Sequence, residues 1–292
     1  MPNKGFSKIS KINNKDLELL YNKQISFKEF CTKYHVSDST MRIFFKENNL
    51  ELISSRKSNT IQHDYFNKIN TAEKAYIFGM YIADGYISIS KSSSRFGISL
   101  NVNDIELLTK IRDILSPLSK LYFEKARINA QGIKSNPMYK LIISSKTICD
   151  KLNQYNCGKN KTNLLKSIKN IIPKEYMFDF IRGYFDGDGC ITTNSVRKRY
   201  LTKDGTSKIY NYTNVSFSII SKDWLILEEV KEFLSAHISK INLYQESRGN
   251  WLLTVNRKSE VKKLYSLLYY NNSLLCLNRK YQKFKQIMET SC

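Results

Sequence analysis

Two aspartates, Asp84 and Asp188, stand at matching ends of two similar apolar runs, AYIFGMYIADG at 75–85 and DFIRGYFDGDG at 179–189, with an offset of 104 residues (188 − 84 = 104). A pair of carboxylates can hold a hard, oxygen-seeking divalent cation, for which Mg²⁺ is the natural choice and Mn²⁺ a substitute. Both runs read as helices. Gly79 and Ala83 lie four apart, as do Gly183 and Gly187, so each helix carries one stripe of small residues. Glycine inside a helix costs about 1 kcal/mol relative to alanine, and its use at matching places implies that two backbones pack closely along these stripes. Gly85 and Gly189, directly after the acids, are the residue type usual just past a helix end. Each carboxylate then sits at a helix C-terminus, where the macrodipole disfavours negative charge by roughly 0.3–1 kcal/mol. A solvated Asp-Gly turn would account for one such copy. It does not account for two in register, flanked by the same small residues.

The composition constrains what such a site acts upon. The 292 residues carry 47 basic and 26 acidic side chains, a formal net charge of +21. A surplus of this size is tolerated most readily beside a polyanion, and nucleic acid is the leading one. An inert basic surface is the alternative reading. With 41% hydrophobic residues the chain has enough apolar material for sizeable cores, which excludes intrinsic disorder. No run of about 18 apolar residues occurs, which argues against a membrane protein. The opening MPNKGFSKISKINNK lacks the apolar centre of a signal peptide. The six cysteines form no CxxC pair, so a reducing cytoplasm or organellar matrix is the expected setting.

The elements that must position the acids repeat with them. After each motif the periodicity predicts two strands, a helix, two strands and a helix. In the first copy the strands fall near 86–90, 96–102, 120–128 and 138–144, with helices at 104–115 and 146–155. In the second the strands fall near 190–197, 209–220, 241–246 and 250–256, with helices at 222–235 and 258–269. The expected class is α+β, with two pseudo-symmetric αββαββα units at 61–170 and 171–292. Tandem units of this kind suit a target with approximate twofold symmetry, such as duplex DNA. Ahead of them, residues 1–60 read as a small all-α helix-turn-helix module and linker. Residues 16–22 form a short helix, the S-x-x-E capping box Ser26–Glu29 starts a second, and Ser37 caps a third from Asp38 to Glu47. Phe27, Phe30, Val36, Met41, Phe44 and Phe45 would form its core. Ser39, Thr40, Arg42 and Lys46 would face a DNA groove, unless the module only packs. Ser54–Ser58, basic and serine-rich, reads as linker.

The segments Ile77–Gly85 and Ile181–Gly189 resemble the LAGLIDADG homing endonuclease family in its two-motif, single-chain form. The second is close to the family pattern; the first departs at its sixth position, where Ile82 replaces an acid. The resemblance implies two sheets forming a saddle astride DNA. It also implies metal-dependent double-strand cleavage across the minor groove, with Asp84 and Asp188 as catalytic, metal-holding acids. Gly85 and Gly189 complete the expected metal-holding set. Asp186 is expected to be a supporting hydrogen-bond acceptor. Family members place a basic residue near each scissile phosphate. The segment 158–162 ahead of Pro173 resembles the family's "K-T then proline" stretch and indicates Lys161. The Arg279-Lys280 pair resembles the family's C-terminal "RK" and indicates Lys280, with Lys159, Arg279 and Lys283 as rivals.

Base reading would fall to polar side chains on the strands, since Arg reads G and Asn or Gln reads A in bidentate fashion. The expected readers are Ser88, Arg95, Asn101, Arg127, Lys140, Asn194, Arg197, Arg199, Gln245 and Arg248, followed by Ser90, Ser99, Thr192, Asn211 and Ser216. A one-residue slip in strand register inverts the set. The expected protein is a monomeric endonuclease on double-stranded DNA with a long pseudo-palindromic site, intron-encoded or free-standing. Two alternatives remain: an RNA maturase acting on group I intron RNA, and a non-catalytic transcription regulator.

Overall fold

The structure, a computed structural model, describes residues 12–21, 25–50, 60–128, 132, 134–158, 167–271 and 275–289. They form two compact units, divided between Thr60 and Ile61. The linker expected at 54–58 lies outside the described residues.

The smaller unit holds α1 (Asn14–Tyr21), α2 (Phe27–Lys33) and α3 (Asp38–Glu47). The capping box closes in both directions: Ser26 Oγ accepts the Glu29 amide at 3.2 Å and Glu29 accepts the Ser26 amide at 2.7 Å. Ser37 Oγ accepts the Thr40 amide and starts α3. The turn between α2 and α3 passes through His35 at φ +53°. Leu20, Phe27, Phe30, Cys31, Met41 and Phe45 fill the core, with Phe45 edge-on to both phenylalanines. Val36 and Phe44 pack only partly buried against it, at its rim. Buried Asp16 accepts from Lys33 Nζ and Tyr34 Oη, each at 2.7 Å, and pins α1 to the end of α2.

The larger unit runs α4 (Ala72–Asp84), β1 (Gly85–Ile89), β2 (Ser94–Asn101), α5 (Ile105–Leu115), β3 (Leu121–Glu124), β4 (Met138–Ser144) and α6 (Lys146–Gln154). It then repeats the order with α7 (Met177–Asp188), β5 (Gly189–Leu201), β6 (Ser207–Ser221), α8 (Trp224–Ser235), β7 (Asn242–Gln245), β8 (Trp251–Val255) and α9 (Lys258–Leu268). Each half has one antiparallel four-stranded sheet, ordered β1-β2-β4-β3 and β5-β6-β8-β7. A final helix, α10 (Asn278–Glu289), is additional to the repeat. Its apolar contacts are sparse but periodic, with Phe284, Ile287 and Met288 buried. Two strand extents differ from expectation. The β5–β6 hairpin is longer, because alternation and pairing continue to Leu201↔Ser207 around a turn with Gly205 at φ +79°. Strand β3 ends at Glu124, and only an isolated Ile128↔Lys134 bridge follows.

One core runs through both halves. Phe66, Tyr81 and Phe96 cluster in the first half, and Phe185, Phe217 and Phe284 in the second. Between them α4 lies against α7 along the small-residue stripes. A Cβ on Gly79 would fall 2.3 Å from the Phe180 carbonyl oxygen, one on Gly183 2.1 Å from that of Tyr76, and one on Gly187 2.1 Å from Ala83 Cβ. At Gly79 and Gly183 the contacts are backbone to backbone, which is why the helix-propensity penalty is accepted twice. No helix among the described residues is long and apolar enough to cross a membrane.

Candidate active site at the paired helix ends

Asp84 and Asp188 are the last residues of α4 and α7. Both are half-buried. The glycines after them stand just past the helix ends, as expected. Gly85 and Gly189 are extended (φ −87° and −93°), so no left-handed cap is formed. Their role is steric: a Cβ at Gly85 would strike the Tyr81 ring at 2.2 Å, and one at Gly189 the Phe185 ring at 2.2 Å. The chain turns from helix into strand over an aromatic ring, directly beyond each acid. Because α4 and α7 abut, the two C-termini come together. Asp84 Oδ2 lies 3.0 Å from the point where a Gly187 side chain would begin, so the first-half carboxylate rests against the second-half helix.

The local field at these ends calls for cations. Two carboxylates add to the negative ends of two helix dipoles. Lys280, on α10, answers part of that demand. Its Nζ donates to the carbonyl oxygens of Phe185 (2.8 Å), Gly187 (3.0 Å) and Gly189 (2.6 Å). The expected metal contact at Gly189 is therefore already engaged by the lysine. Asp84 and Asp188, as hard oxygen donors in this cation-seeking setting, fit a divalent ion.

Lys280 is 8% exposed. Burial lowers its pKa to about 8, against the pull of Asp186 and Asp84, while Arg279 pushes the same way as burial. The unfolded chain keeps this proton up to the ordinary lysine value of 10.5. Between these two values the unfolded state binds more protons, so stability rises with pH across that window and the burial penalty is fully present below about pH 8. Lys280→Met is expected to flatten this rise. Unfolding free energies from urea titrations of parent and variant between pH 7 and 10 check it, and parallel curves would contradict it.

Asp186, two residues before Asp188, is 1% exposed. It accepts from Tyr76 Oη of α4 and from the Leu277 amide, each at 2.7 Å. Burial pushes its pKa up to about 6 despite these bonds. It is a structural acceptor that ties α4 and the chain before α10 to α7. The departure at Ile82 now has a reason. At the 104-residue offset the counterpart of Tyr76 is Phe180, which has no hydroxyl, and the counterpart of Asp186 is Ile82. The two changes go together: where a hydroxyl meets an acid in one half, both counterparts in the other are apolar.

Lys161 and Lys159 lie outside the described residues. Arg279 is bonded to Asp104, and Lys283 is exposed further along α10.

The strand pairing sorts the expected base readers. In the first sheet Phe96, Ile98, Leu100, Leu141 and Ile143 point into the core. Ser88, Arg95, Ser99, Asn101 and Lys140 therefore occupy the opposite, open face, with Tyr86 and Tyr122 among them. Lys140 and Arg127 share an ion pair with Glu124. Ser90 lies in the turn after β1, bonded to Ser93. In the second sheet Ile191, Val215 and Phe217 face the core, which leaves Thr192, Asn194 and Ser216 on the open face. Arg197, Arg199 and Asn211 have the opposite parity, and Lys198 shares the face of Asn194. Gln245 pairs with Trp251 on the core-parity face and bonds to the Gly249 carbonyl, while Tyr244 takes the open face. Arg248 lies in the β7–β8 turn. On α3, Ser39 and Lys46 are exposed, whereas Thr40 bonds to Ser37 and Arg42 pairs with Asp38 over the Phe27 ring. Ile43, 43% exposed, shares that outer surface.

A family model described as LAGLIDADG endonuclease matches residues 181–288, and one described as LAGLIDADG-like domain matches residues 71–154. The uncharacterized protein MJ1054 of Methanocaldococcus jannaschii is 25% identical over 232 residues, 74% of this chain but 22% of that protein. The uncharacterized protein MJ0398 of the same organism is 22% identical, over 75% of this chain and 72% of its own. The chain thus spans less than a quarter of the first of these relatives. The crystal structure of the LAGLIDADG meganuclease I-AabMI bound to uncleaved DNA aligns with 76% of this chain and 91% of its own, at 15% identity and a TM-score of 0.51.

Proposed function

This chain belongs to the LAGLIDADG family, and we propose that it is a site-specific DNA endonuclease making metal-dependent double-strand breaks across the minor groove of a long pseudo-palindromic site. The observation that carries this reading is the placement of Asp84 and Asp188 at the abutting ends of α4 and α7. Phosphodiester cleavage needs an attacking water, relief of charge at phosphorus and a stabilised leaving oxygen. Asp84 and Asp188 would hold Mg²⁺ or Mn²⁺. A bound ion of this kind lowers the pKa of water and neutralises developing charge. Lys280 anchors the end of α7 and brings a fixed positive charge to the edge of the site, where it can stabilise the phosphate's developing charge. Lys161 is proposed for the matching role in the first half.

The open faces of the two sheets would read bases, through Ser88, Arg95, Ser99, Asn101 and Lys140 on one and Thr192, Asn194, Ser216 and Lys198 on the other. Tyr122 and Tyr244 add apolar contact at matching strand positions. The N-terminal unit would extend the footprint through Ser39 and Lys46 of α3, two modest affinities multiplying through the linker. The maturase and the regulator are set aside because both acids are present, and neither role needs them.

The test is incubation of the full-length protein with an AT-rich plasmid library, with and without Mg²⁺. Metal-dependent double-strand breaks at one recurring site are expected. A footprint without breaks would identify a regulator, and preference for structured intron RNA a maturase.

A further inference from the structure

We propose that Asp104 and Arg279 form a clasp through which the first half of the larger unit positions Lys280, the active-site lysine carried by the second. Asp104 is then a positioning residue. Its carboxylate accepts from Arg279 Nε at 2.9 and 3.2 Å and from Nη2 at 3.1 Å, joining residues 175 apart in the chain. Bidentate guanidinium–carboxylate pairs fix direction as well as distance. The Asp104 side chain is 4% exposed, so little water competes for it.

Three observations indicate that the pair does more than hold a surface together. First, Asp104 occupies the cap position of α5 but makes no capping bond with its side chain. Its counterpart, Asp223 at the start of α8, uses its carboxylate in the ordinary way, accepting the Leu225 amide at 2.9 Å. The duplicated aspartate has been redirected in one half only, toward Arg279. Second, Arg279 and Lys280 stand in the first turn of α10, where the helix dipole disfavours cations, so helix stability does not place them there. Third, the chain just before α10 is fastened at two points. Arg182 Nε donates to the Leu275 carbonyl at 2.9 Å, and the Leu277 amide donates to Asp186 at 2.7 Å. Arg279 follows on Asp104, and then comes Lys280 with its three carbonyls. Of the bonds that orient α10 at this point, the one to Asp104 comes from the first half's own strand-to-helix corner. Loosening it frees the helix turn that aims the ammonium.

The functional consequence rests on the nuclease reading; the positioning itself does not. The experiment therefore has two arms, both on the full-length protein. In the first, acetic anhydride labelling followed by mass spectrometry measures how fast Lys280, Lys283 and Lys285 react. Asp104→Asn is expected to speed labelling of Lys280 about tenfold, the factor corresponding to 1.4 kcal/mol, with Lys283 and Lys285 unchanged. Arg279→Lys, a milder change that keeps the charge but loses the fork, should give a smaller rise at the same site and covers the case in which Asp104→Asn does not fold. Unchanged labelling of Lys280, or an equal rise at all three lysines, overturns the proposal. In the second arm, strand-resolved cleavage of a plasmid site cut by the parent should slow about 10²-fold on one strand with DNA affinity preserved, as expected when a reacting group is misplaced by about an ångström. A parent that cuts nothing refutes the nuclease reading and leaves the labelling result to decide the clasp. Equal slowing of both strands, or weakened DNA binding in step with it, overturns the clasp as a device for Lys280.

Discussion

Asp188→Asn is expected to bind DNA about as tightly as the parent and to lose cleavage of at least one strand by roughly 10³-fold or more, the effect of removing several kcal/mol of charge stabilisation. Asp84→Asn should behave in the same way. The two variants together should leave a binding protein without nicking activity. The stability effect has the opposite sign from an ordinary loss of function. Each acid closes a helix at its negative end, so neutralising it removes an unfavourable dipole interaction, against which Asp84 also gives up its attraction for the Lys280 ammonium. The variants should unfold at the same urea concentration as the parent or slightly above it, by about 0.3–1 kcal/mol. Electrophoretic binding, strand-resolved nicking and urea midpoints check the three parts. Asp188→Asn cutting both strands at the parental rate would remove the site as assigned.

Gly183→Ala is expected to be among the most damaging single-methyl changes in the larger unit. Helix propensity alone predicts a gain of about 1 kcal/mol. The interface predicts a loss, because the new Cβ would lie 2.1 Å from the Tyr76 carbonyl oxygen and 3.1 Å from the Met80 amide nitrogen, both backbone atoms of the facing helix. Neither can swing aside as a side chain would, so α4 and α7 must separate. Overpacking of this kind costs typically 1–3 kcal/mol, and the net change should be destabilising. Gly79→Ala, at 2.3 Å from the Phe180 carbonyl oxygen, should behave alike. Since Asp84 and Asp188 ride on the ends of these two helices, cleavage should fall along with stability. The only two tryptophans, Trp224 and Trp251, both lie in the larger unit, so their fluorescence follows its unfolding directly. An unchanged urea midpoint for Gly183→Ala would show that the helices do not approach as described.

Both predictions rest on features that could be read before the structure. The acids and the small-residue stripes were both legible, because each motif is local and occurs twice at one offset. The reason for Gly85 and Gly189 was not. Their place just past a helix end was expected, but the ring folded beneath each turn, Tyr81 or Phe185, was not. Tyr76 and Asp186, with the apolar Phe180 and Ile82 at the equivalent positions, were present in the two motifs all along. They become meaningful only once α4 and α7 are known to cross at those positions.

The amino-acid sequence by itself determined the duplicated α+β order, the three helices of the N-terminal unit, two of them with their caps, and the placement of two acids at helix ends. These depend on periodicity, capping and spacing, all of which act within a few turns of chain. Only the tertiary structure decided which strand residues share the open face, so that Lys198 and Tyr244 take positions expected of Arg199 and Gln245. Strand parity inverts with a shift of one residue, and no local signal holds it to that precision. The tertiary structure also decided that Lys280 reaches three carbonyls 91 to 95 residues away, and that Arg279 beside it turns to Asp104. Such bonds follow from where a late helix docks, and docking is governed by the sum of many buried contacts rather than by any one stretch of residues.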